Sequence, residues 1–433
     1  MLKTLYKLFL NSFGISTDTR TLKENQIYFA LKGENFDGNK YAEQAIEKGA
    51  LCVVVDDASI LINKQDKPYF LVSDVLDTLQ RLAKYHREIL NIPILGITGS
   101  NGKTTTKELC YAVLSQKYNV FATQGNLNNH IGVPLSILSI TDEHNFAIIE
   151  MGANHRKEIG ELCEIALPNY GVITNIGSAH LEGFGSLEGV KKTKKELFDF
   201  VSNKQGVFFY PTEDKNISSF AESYDKSKSY SHSKLDAFVH YSVLKTELFS
   251  LVQIGDLQIQ SKLFGEYNAQ NMACAYTIGT YFGIEHEKIK YGIEHYIPTN
   301  NRSQLLKTQN NSLVVDAYNA NPTSLTFAIQ SFINLNGDSK ILILGDMFEL
   351  GEYALNEHQK IVDLLDEFVH KFEKVFLVGS IFFNTQIKNT ERIHAINSRK
   401  ELELLIQEFN YKGKTILLKG SRGIGLEKII EFL

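Results

Sequence analysis

The residues best suited to chemistry lie in the segment from Gly96 to Thr104, which reads GITGSNGKT. An apolar run precedes it and a helical pattern begins at Lys103. Glycines in such a turn let backbone N–H groups point at phosphate oxygens, and the helix that follows adds positive potential. The segment therefore predicts a phosphate loop for a nucleoside triphosphate, in a variant form because Ile97 stands where the strict pattern has glycine.

Lysine and threonine at the end of this loop have separate predicted roles. Lys103 reaches the terminal phosphates, and Thr104 offers its hydroxyl to a magnesium ion. The residues predicted to bind the nucleotide here are Gly99, Ser100, Asn101, Gly102, Lys103, Thr104 and Thr105.

A carboxylate ends the next strongly apolar run, FAIIE, at Glu150. If the run is a strand of a doubly wound sheet, its end lies at the carboxyl edge, where such folds place their ligands. Glu150 is therefore predicted to be a magnesium ligand, against the alternative of an ordinary exposed glutamate at a strand end.

One lysine of a charged run, Lys194, has an unusual helical position. At about 100° per residue it lies on the stripe of Val190, Leu197 and Val201, whereas the neighbouring lysines fall off that stripe. Such a lysine either extends its ammonium group past its apolar neighbours to solvent or has an amine with unusual reactivity. Burial lowers the pKa of an amine, and a neutral amine can add carbon dioxide to become an anionic carbamate.

These residues require α/β elements to position them. The chain of 433 residues exceeds one ordinary core, so it should divide into domains. We predict a small α/β domain at 1–88, a central phosphate-loop domain with a doubly wound, mostly parallel sheet at 89–298, and a C-terminal Rossmann-like α/β domain at 299–433. A polar, strand-rich insertion is predicted at about 206–265.

Composition narrows the class of protein. A formal charge of −5 and an isoelectric point near 6.2 argue against a large nucleic-acid surface. The four cysteines form no CxxC pair, which favours a reducing compartment. No apolar run is long enough to span a membrane. We therefore expect a cytoplasmic protein without stable membrane insertion. We also expect a monomer, which composition does not test.

A GTPase is the competing nucleotide-binding class. The segment Asn63-Lys64-Gln65-Asp66 spells the guanine-reading NKxD pattern. Because that motif should follow the phosphate loop and here precedes it, we interpret the segment as a polar turn. A nucleotide-dependent scaffold without catalysis is a further alternative.

Segments spread along the whole chain closely resemble those of the Mur ligase family. They are STDTRTLKENQIYFALKGENFDGNKY at 16–41, GITGSNGKTTT at 96–106, GNLNNHIGVP at 125–134, IEMGANHRKEIGEL at 149–162, NIGSAHLEGFGS at 175–186, GEYNAQNMACAY at 265–276, VVDAYNANPTS at 314–324, GDMFELGE at 345–352 and KGSRG at 419–423. The later segments are similar to the member that adds D-alanyl-D-alanine. The resemblance implies ATP, two magnesium ions, and UDP-N-acetylmuramoyl-tripeptide and D-alanyl-D-alanine as partners.

The resemblance also implies roles for individual residues. His180 and a carbamylated Lys194 would join Thr104 and Glu150 as metal ligands and, with Lys103, form the catalytic set. Asn271, Arg302, Asp316 and Tyr318 would bind the nucleotide. The residues implied for the two other substrates are Thr19, Arg20, Lys32, Asn126, Asn129, Asn319, Asp346 and Glu349.

Two related enzymes are the alternatives within this architecture. One is a related Mur ligase that adds a single amino acid; the member that adds the third amino acid would carry a DNPR-type motif in the last domain, and the chain has none. Folylpolyglutamate synthetase typically has GKGS where this chain has Gly102-Lys103-Thr104-Thr105.

Overall fold

The computed structural model describes residues 1–61, 68–177, 181–337, 339–409 and 411–433. The chain forms two compact units, one of 1–97, 118–153 and 157–171, the other of 98–117, 154–156 and 172–433. The predicted fold class, α/β with mostly parallel sheets, is confirmed. His180 and the segment 63–66 lie outside the described residues.

The N-terminal region alternates short strands and helices, as predicted. Its elements are α1 Leu2–Leu10, β1 Ile15–Ser16, β2 Ile27–Phe29, β3 Lys32–Gly33, β4 Phe36–Asp37, α2 Ala42–Glu47, β5 Cys52–Val55, β6 Tyr69–Leu71 and α3 Val75–Ile89. Four of the strands form a parallel sheet in the order β1-β2-β5-β6. β5 is buried along its whole length because its run CVVV is apolar and β-branched.

The central region begins where the phosphate loop was predicted. Its elements are β7 Ile94–Thr98, α4 Lys103–Leu114, β8 Val120–Ala122, α5 Gly132–Leu138, β9 Phe146–Glu150, α6 Glu158–Ala166, β10 Tyr170–Ile173, α7 Leu181–Phe184, α8 Leu187–Asn203 and β11 Val207–Pro211. Within the first unit β9 pairs in parallel with both β7 and β8. β9 ends at Glu150, as the sequence predicts.

The region of the predicted strand-rich insertion contains both parallel and antiparallel strands. Its elements are α9 Lys215–Ala221, β12 Ser227–Ser231, β13 Val239–His240, β14 Ser242–Leu244, β15 Phe249–Ile254 and β16 Leu257–Phe264, followed by α10 Ala269–Tyr281 and α11 His286–His295. β11, β12 and β13 continue the parallel pattern, because the run VFFYP of β11 is apolar enough to be buried. Only β14, β15 and β16 form an antiparallel sheet of their own.

The C-terminal region is a six-stranded sheet with helices on both faces. Its elements are β17 Gln304–Lys307, β18 Ser312–Asp316, α12 Pro322–Ile333, β19 Lys340–Gly345, α13 Ala354–Glu367, β20 Lys374–Val378, α14 Ser380–Phe383, β21 Ile393–Ile396, α15 Arg399–Phe409 and β22 Thr415–Lys419. The strand order is β17-β18-β22-β19-β20-β21, with β17 antiparallel and the others parallel. Alternate residues of β18 pack against α12 and α13 on one face, as Val314 does, and against α15 on the other, as Leu313 does.

Two further features bear on the sequence predictions. The four cysteines are free thiols, and all are buried. Across the part of the chain that the structure describes, no helix is both long enough and apolar enough to cross a membrane.

A buried arginine stabilises the first unit. Arg87 of α3 donates hydrogen bonds to the carbonyls of Ala166 (3.0 Å) and Leu167 (3.2 Å) at the C-terminal end of α6, and to Asn169 Oδ1 (2.9 Å). Burial lowers the pKa of Arg87 to about 10, so the guanidinium remains protonated at neutral pH. Its charge therefore lies at the negative end of the α6 dipole.

Replacing Arg87 with methionine should destabilise this unit. The Arg87→Met change leaves buried carbonyls without donors, so we expect the free energy of unfolding to fall by about 2–4 kcal/mol. The control is Arg81→Met on the same helix, because Arg81 is exposed and forms only a 3.4 Å ion pair with Asp77. Urea unfolding followed by circular dichroism measures both changes. Equal midpoints for the two variants would contradict the role of Arg87.

Candidate active site

The phosphate loop is held by the residues that follow β10. The backbone N–H of Ser100 donates to the carbonyl of Asn175 (3.0 Å), and the N–H of Asn101 donates to Asn175 Oδ1 (2.9 Å). In return the hydroxyl of Thr174 donates to the carbonyl of Asn101 (2.6 Å). These three bonds fix the loop's backbone against the strand end. Sequence reasoning missed Thr174 and Asn175 in this role, although both lie in the run GVITN.

Two glycines of the loop are required by its geometry. Gly99 has φ +149°, and a Cβ there would lie 2.0 Å from the hydroxyl oxygen of Thr174. Gly102 has φ +77°, and a Cβ there would lie 2.7 Å from Asn271 Oδ1. Both positions therefore combine an unfavourable conformation for other residues with close contacts.

The side chain of Lys103 folds back over the phosphate loop. Lys103 Nζ donates to the carbonyls of Gly99 (2.6 Å) and Ser100 (3.2 Å), the same turn that is predicted to surround the phosphates. Lys103 begins α4, and the two threonines that follow it, Thr104 and Thr105, are buried in the first turn. The ammonium group and the helix start thus supply positive charge at one place.

Asn271 lies directly beneath the phosphate loop, in α10. Its Oδ1 accepts from the hydroxyl of Thr106 (3.1 Å), and its Nδ2 donates to Asn268 Oδ1 (2.9 Å). Only 8% of the residue is exposed. The structure therefore shows Asn271 supporting the loop, and its implied contact with the nucleotide stays a prediction.

The C-terminal region reaches the phosphate loop through a residue that sequence reasoning did not select. Asn321 Nδ2 donates to Asn101 Oδ1 at 2.7 Å. Asn321 also caps α12, because its own Oδ1 accepts from the backbone N–H of Ser324 (2.9 Å). An asparagine before a proline is a recognisable helix start, but its contact with a loop 220 positions away is visible only in the fold.

The other residues implied for nucleotide binding converge at the end of β18. Asp316 pairs with Lys419 (2.5 Å) and accepts from the N–H of Ser303 (3.1 Å). The guanidinium of Arg302 lies 3.7 Å from the ring centroid of Tyr318. One face of Tyr318 is therefore occupied by a cation, an interaction worth about 0.5–2 kcal/mol.

Glu150 belongs to the first unit and has one free oxygen. Its Oε1 accepts from Asn128 Nδ2 (2.8 Å), and its backbone N–H donates to the hydroxyl of Thr123 (3.0 Å). The residue is 2% exposed, yet Oε2 has no hydrogen-bond partner among the described residues. A buried carboxylate oxygen without a donor costs free energy unless a cation or water meets it. Sequence reasoning named Asn126 and Asn129 but missed Asn128.

Lys194 is buried on α8, as the periodicity predicts. The buried residues of this helix include Val190, Leu197 and Val201, and Lys194 is 1% exposed. Its Nζ lies 5.4 Å from the ring centroid of Phe184. Lys192, on the same helix, is exposed. The prediction that Lys194 departs from the charged face is therefore confirmed.

The residues implied for the muramoyl substrate make local contacts in the first unit. Thr19 donates its hydroxyl to Gln44 (2.7 Å), and Lys32 pairs with Asp56 (2.7 Å). Arg20 pairs with Asp18 (2.6 Å), and the hydrogen bonds from Arg20 lower the pKa of Asp18 to about 2.

The remaining asparagines predicted for that substrate lie in the turn before α5. Asn129 Oδ1 accepts from the N–H groups of Ile131 (3.2 Å) and Gly132 (2.8 Å), so it closes the turn into the helix. Asn126 is exposed. The substrate roles of both residues stay predictions.

The acidic segment after β19 has one buried and one exposed carboxylate. Asp346 is 1% exposed and accepts from the backbone N–H groups of Ile381 and Phe382, both at 2.9 Å. Glu349 is exposed with φ +64°. Asn319, after β18, is exposed and accepts from the N–H of Ala320 (2.9 Å).

A buried histidine holds this acidic segment. His358 Nε2 accepts from the N–H of Met347 (2.9 Å), while Nδ1 lies 2.7 Å from the carbonyl of Ala354. Burial lowers the pKa of His358, and these two contacts require the neutral ring with its proton on Nδ1. His358 therefore acts in the structure as a support for the backbone around Asp346.

Among the described residues, no group of three or more histidine, cysteine, aspartate or glutamate side chains is arranged to hold a metal ion. His180 is not part of that set. Within the first unit, the atom available to a metal ion is the Glu150 oxygen that has no partner among the described residues.

Three family models match successive parts of the chain. They are the Mur ligase family catalytic domain at 13–87, the Mur ligase middle domain at 97–279 and the Mur ligase glutamate ligase domain at 301–422.

Relatives match over nearly the full length. The chain is 35% identical to the UDP-N-acetylmuramoyl-tripeptide–D-alanyl-D-alanine ligase of Bacillus subtilis, over 97% of this chain and 93% of that protein. It is 33% identical to the ligase of the same name from Haemophilus influenzae, over 96% and 92%. The crystal structure of MurF from Acinetobacter baumannii aligns with a TM-score of 0.86, 27% identity and coverage of 100% and 98%. MurF ligase from Thermotoga maritima, solved in complex with ADP, shares the fold with a TM-score of 0.86 at 24% identity, over 98% and 97%.

Replacing Lys103 with alanine should abolish binding of a nucleoside triphosphate without unfolding the protein. The change removes a charge from the phosphate loop and leaves the three bonds to Thr174 and Asn175 in place. We expect affinity for a fluorescent ATP analogue to fall by about 100-fold or more, since charge-assisted contacts to several phosphate oxygens are lost. The thermal midpoint should stay within about 2 °C. Wild-type affinity for the ATP analogue in Lys103→Ala would contradict a role of this loop in nucleotide binding.

Proposed function

Because the chain belongs to the Mur ligase family, we propose that it joins D-alanyl-D-alanine to UDP-N-acetylmuramoyl-tripeptide, with ATP converted to ADP and phosphate. The product of this reaction is a precursor of peptidoglycan. The observation that carries the proposal is the full-length similarity to ligases of that name, at 35% identity over 97% of the chain. The segments GDMFELGE and KGSRG and the missing DNPR motif favour the dipeptide over a single amino acid.

The first step activates a carboxylate. Its oxygen attacks the γ-phosphorus of ATP, the bond from that phosphorus to the bridging oxygen breaks, and ADP leaves, so the substrate becomes an acyl phosphate. In such transfers the protein mainly positions groups and neutralises charge. Lys103 supplies a cation beside the loop carbonyls, and the N–H groups at the start of α4 supply positive potential. Arg302 is proposed to add a second cation from the C-terminal region.

The residues present fit a divalent cation. In the first unit, Glu150 has a buried oxygen without a donor among the described residues. In the second unit, Thr104 lies at the start of α4, the position from which a phosphate-loop hydroxyl binds magnesium. His180 and carbamylated Lys194 are the further ligands that we propose for two magnesium ions. When bound, magnesium supplies charge stabilisation for the phosphate oxygens.

The second step forms the amide bond. The neutral amine of D-alanyl-D-alanine attacks the acyl carbonyl, the bond from that carbon to the phosphate oxygen breaks, and inorganic phosphate leaves. The extra proton of the amine passes to the departing phosphate, directly or through water. The loops after β18, β19 and β22 are the proposed site of the dipeptide, because ligands of parallel sheets bind beyond the carboxyl ends of the strands.

Turnover should require both acceptor and dipeptide. We expect ATP-dependent phosphate release with UDP-N-acetylmuramoyl-tripeptide only when D-alanyl-D-alanine is present, because the acyl phosphate is consumed only by the amine. Malachite green detection and mass spectrometry of the product measure this. Efficient addition of a free diamino acid to the dipeptide carrier would contradict the proposed specificity.

Replacing Lys194 with alanine should nearly abolish turnover. The change removes the proposed carbamate, a ligand without which the metal site loses charge, so we expect kcat to fall more than about 100-fold. Formate or acetate at high concentration should restore part of the activity by supplying a carboxylate.

The matched control is Lys192→Ala, since Lys192 lies on the same helix and is exposed. It should turn over substrate like the wild type. Normal activity in Lys194→Ala, together with wild-type activity that bicarbonate depletion leaves unchanged, would show that no carbamate is needed.

A further inference from the structure

Three loops meet at one edge of the C-terminal sheet. β22 lies between β18 and β19, and in register Lys419 is paired with both Asp316 and Leu344. The three strands are parallel, so the segments that follow them emerge on the same side. These segments are 317–321 after β18, 346–350 after β19 and 420–425 after β22.

Hydrogen bonds join the second and third of these segments around Arg422. The N–H of Ser421 donates to the carbonyl of Asp346 (3.1 Å), and the N–H of Phe348 donates to Ser421 Oγ (3.0 Å). The ring of Phe348 packs on Gly423, where a Cβ would lie 2.7 Å from its Cε2. Arg422 is therefore flanked by two positions that are fixed by the neighbouring loop.

The guanidinium of Arg422 has no carboxylate partner in the described part of the chain. It is exposed and lies 5.6 Å from the ring centroid of Tyr318. Among the residues described, no hydrogen bond or ion pair engages this guanidinium, whereas Arg20 and Arg399 pair with carboxylates and Arg87 is saturated by carbonyls.

A second arginine near the same ring also has a donor without a partner among the described residues. Arg302 lies 3.7 Å from the Tyr318 centroid, and its buried Nε lacks an acceptor in the described part of the chain. Two guanidinium groups at one ring, without a carboxylate, form a site with unused donors and positive charge. Guanidinium groups bind carboxylates and phosphates through paired N–H donors.

This site lies close to the phosphate loop. Tyr318 precedes Asn321 by three positions, and Asn321 is bonded to Asn101 of the loop at 2.7 Å. Three residues of chain span at most about 11 Å. An anion held by Arg422 would therefore lie within reach of a molecule that reacts at the phosphate loop.

We propose that Arg422 binds the carboxylate of the incoming D-alanyl-D-alanine. This inference rests on the proposed function, which requires a dipeptide whose amine reacts while its far end carries a negative charge. An extended dipeptide places that carboxylate about 7 Å from the amine. Without a cation it would be repelled by the phosphates and acyl phosphate.

The surroundings of Arg422 suit the end of this dipeptide. The half-exposed ring of Phe348, seated on Gly423, offers an apolar surface for the terminal methyl group. Nucleotide phosphate is the other oxyanion that a guanidinium could bind here. Arg302 is closer to Tyr318, and its Nε is buried. We therefore assign the nucleotide phosphate to Arg302 and the carboxylate of the dipeptide to Arg422.

The test compares two amines that differ only in the proposed ligand. D-Alanyl-D-alanine and D-alanyl-D-alaninamide have the same reacting amine, but the amide lacks the carboxylate. Wild type should prefer the dipeptide in kcat/KM by about 10- to 100-fold, the range expected for a charge-assisted contact. Arg422→Gln should raise KM for the dipeptide by a similar factor, leave the amide within about twofold, and leave KM for ATP unchanged. Arg422→Lys should fall between wild type and Arg422→Gln, because it keeps charge but loses the paired donors.

Arg81→Gln is the matched control, since it removes an exposed guanidinium from α3. It should preserve the preference for the dipeptide. An equal loss for dipeptide and amide in Arg422→Gln would indicate a purely structural role and overturn the proposal. A raised KM for ATP with an unchanged KM for the dipeptide would make Arg422 a phosphate ligand and overturn it too. Failure of the wild type to use D-alanyl-D-alanine would instead refute the proposed function, before any variant is compared.

Discussion

The attachment of the phosphate loop to the end of β10 is the constraint on which the rest of the nucleotide site depends. A glycine-rich loop has high conformational freedom, so its N–H groups point at phosphate only if other contacts fix it. Here Thr174 and Asn175 supply those contacts through three hydrogen bonds. Gly99 is required because the same threonine leaves no room for a Cβ. The contact of Thr174 with the loop thus both fixes the orientation of the N–H groups and requires glycine at position 99.

The same loop also connects two parts of the second unit. Asn101 accepts from Asn321, whose side chain caps α12 and so begins the C-terminal crossover. Beneath the loop, Asn271 bonds both Thr106 of α4 and Asn268. Buried amides of this kind are stable only when donors and acceptors are satisfied together. A change in the loop's backbone would therefore disturb the contacts of both Asn321 and Asn271.

Several charged residues serve the backbone rather than a ligand. Arg87 donates to carbonyls at the end of α6, and Lys340 donates to the carbonyls of Phe332, Ile333 and Leu335 at the end of α12. Asp346 accepts from two N–H groups in the first turn of α14. Buried charges are tolerated because helix ends offer groups without intrahelical partners. This explains why a conspicuous acidic motif can contain both a support, Asp346, and an exposed carboxylate, Glu349.

The sequence alone determined the α/β class, the strand ending at Glu150, the phosphate loop, and the position of Lys194 on the apolar stripe of its helix, because apolar periodicity and glycine spacing are local properties of the chain. It predicted strands at about 206–265 but not their pairing, because the polarity of a region does not report which strands pair, and β11 to β13 belong to the parallel pattern. Only the tertiary structure decided that Thr174, Asn175 and Asn321 hold the loop, that Asn128 bonds Glu150, and that Arg422 has no partner among the residues that the structure describes. Those facts depend on contacts between segments far apart in the chain, and the residues that make them carry no spacing signal of their own.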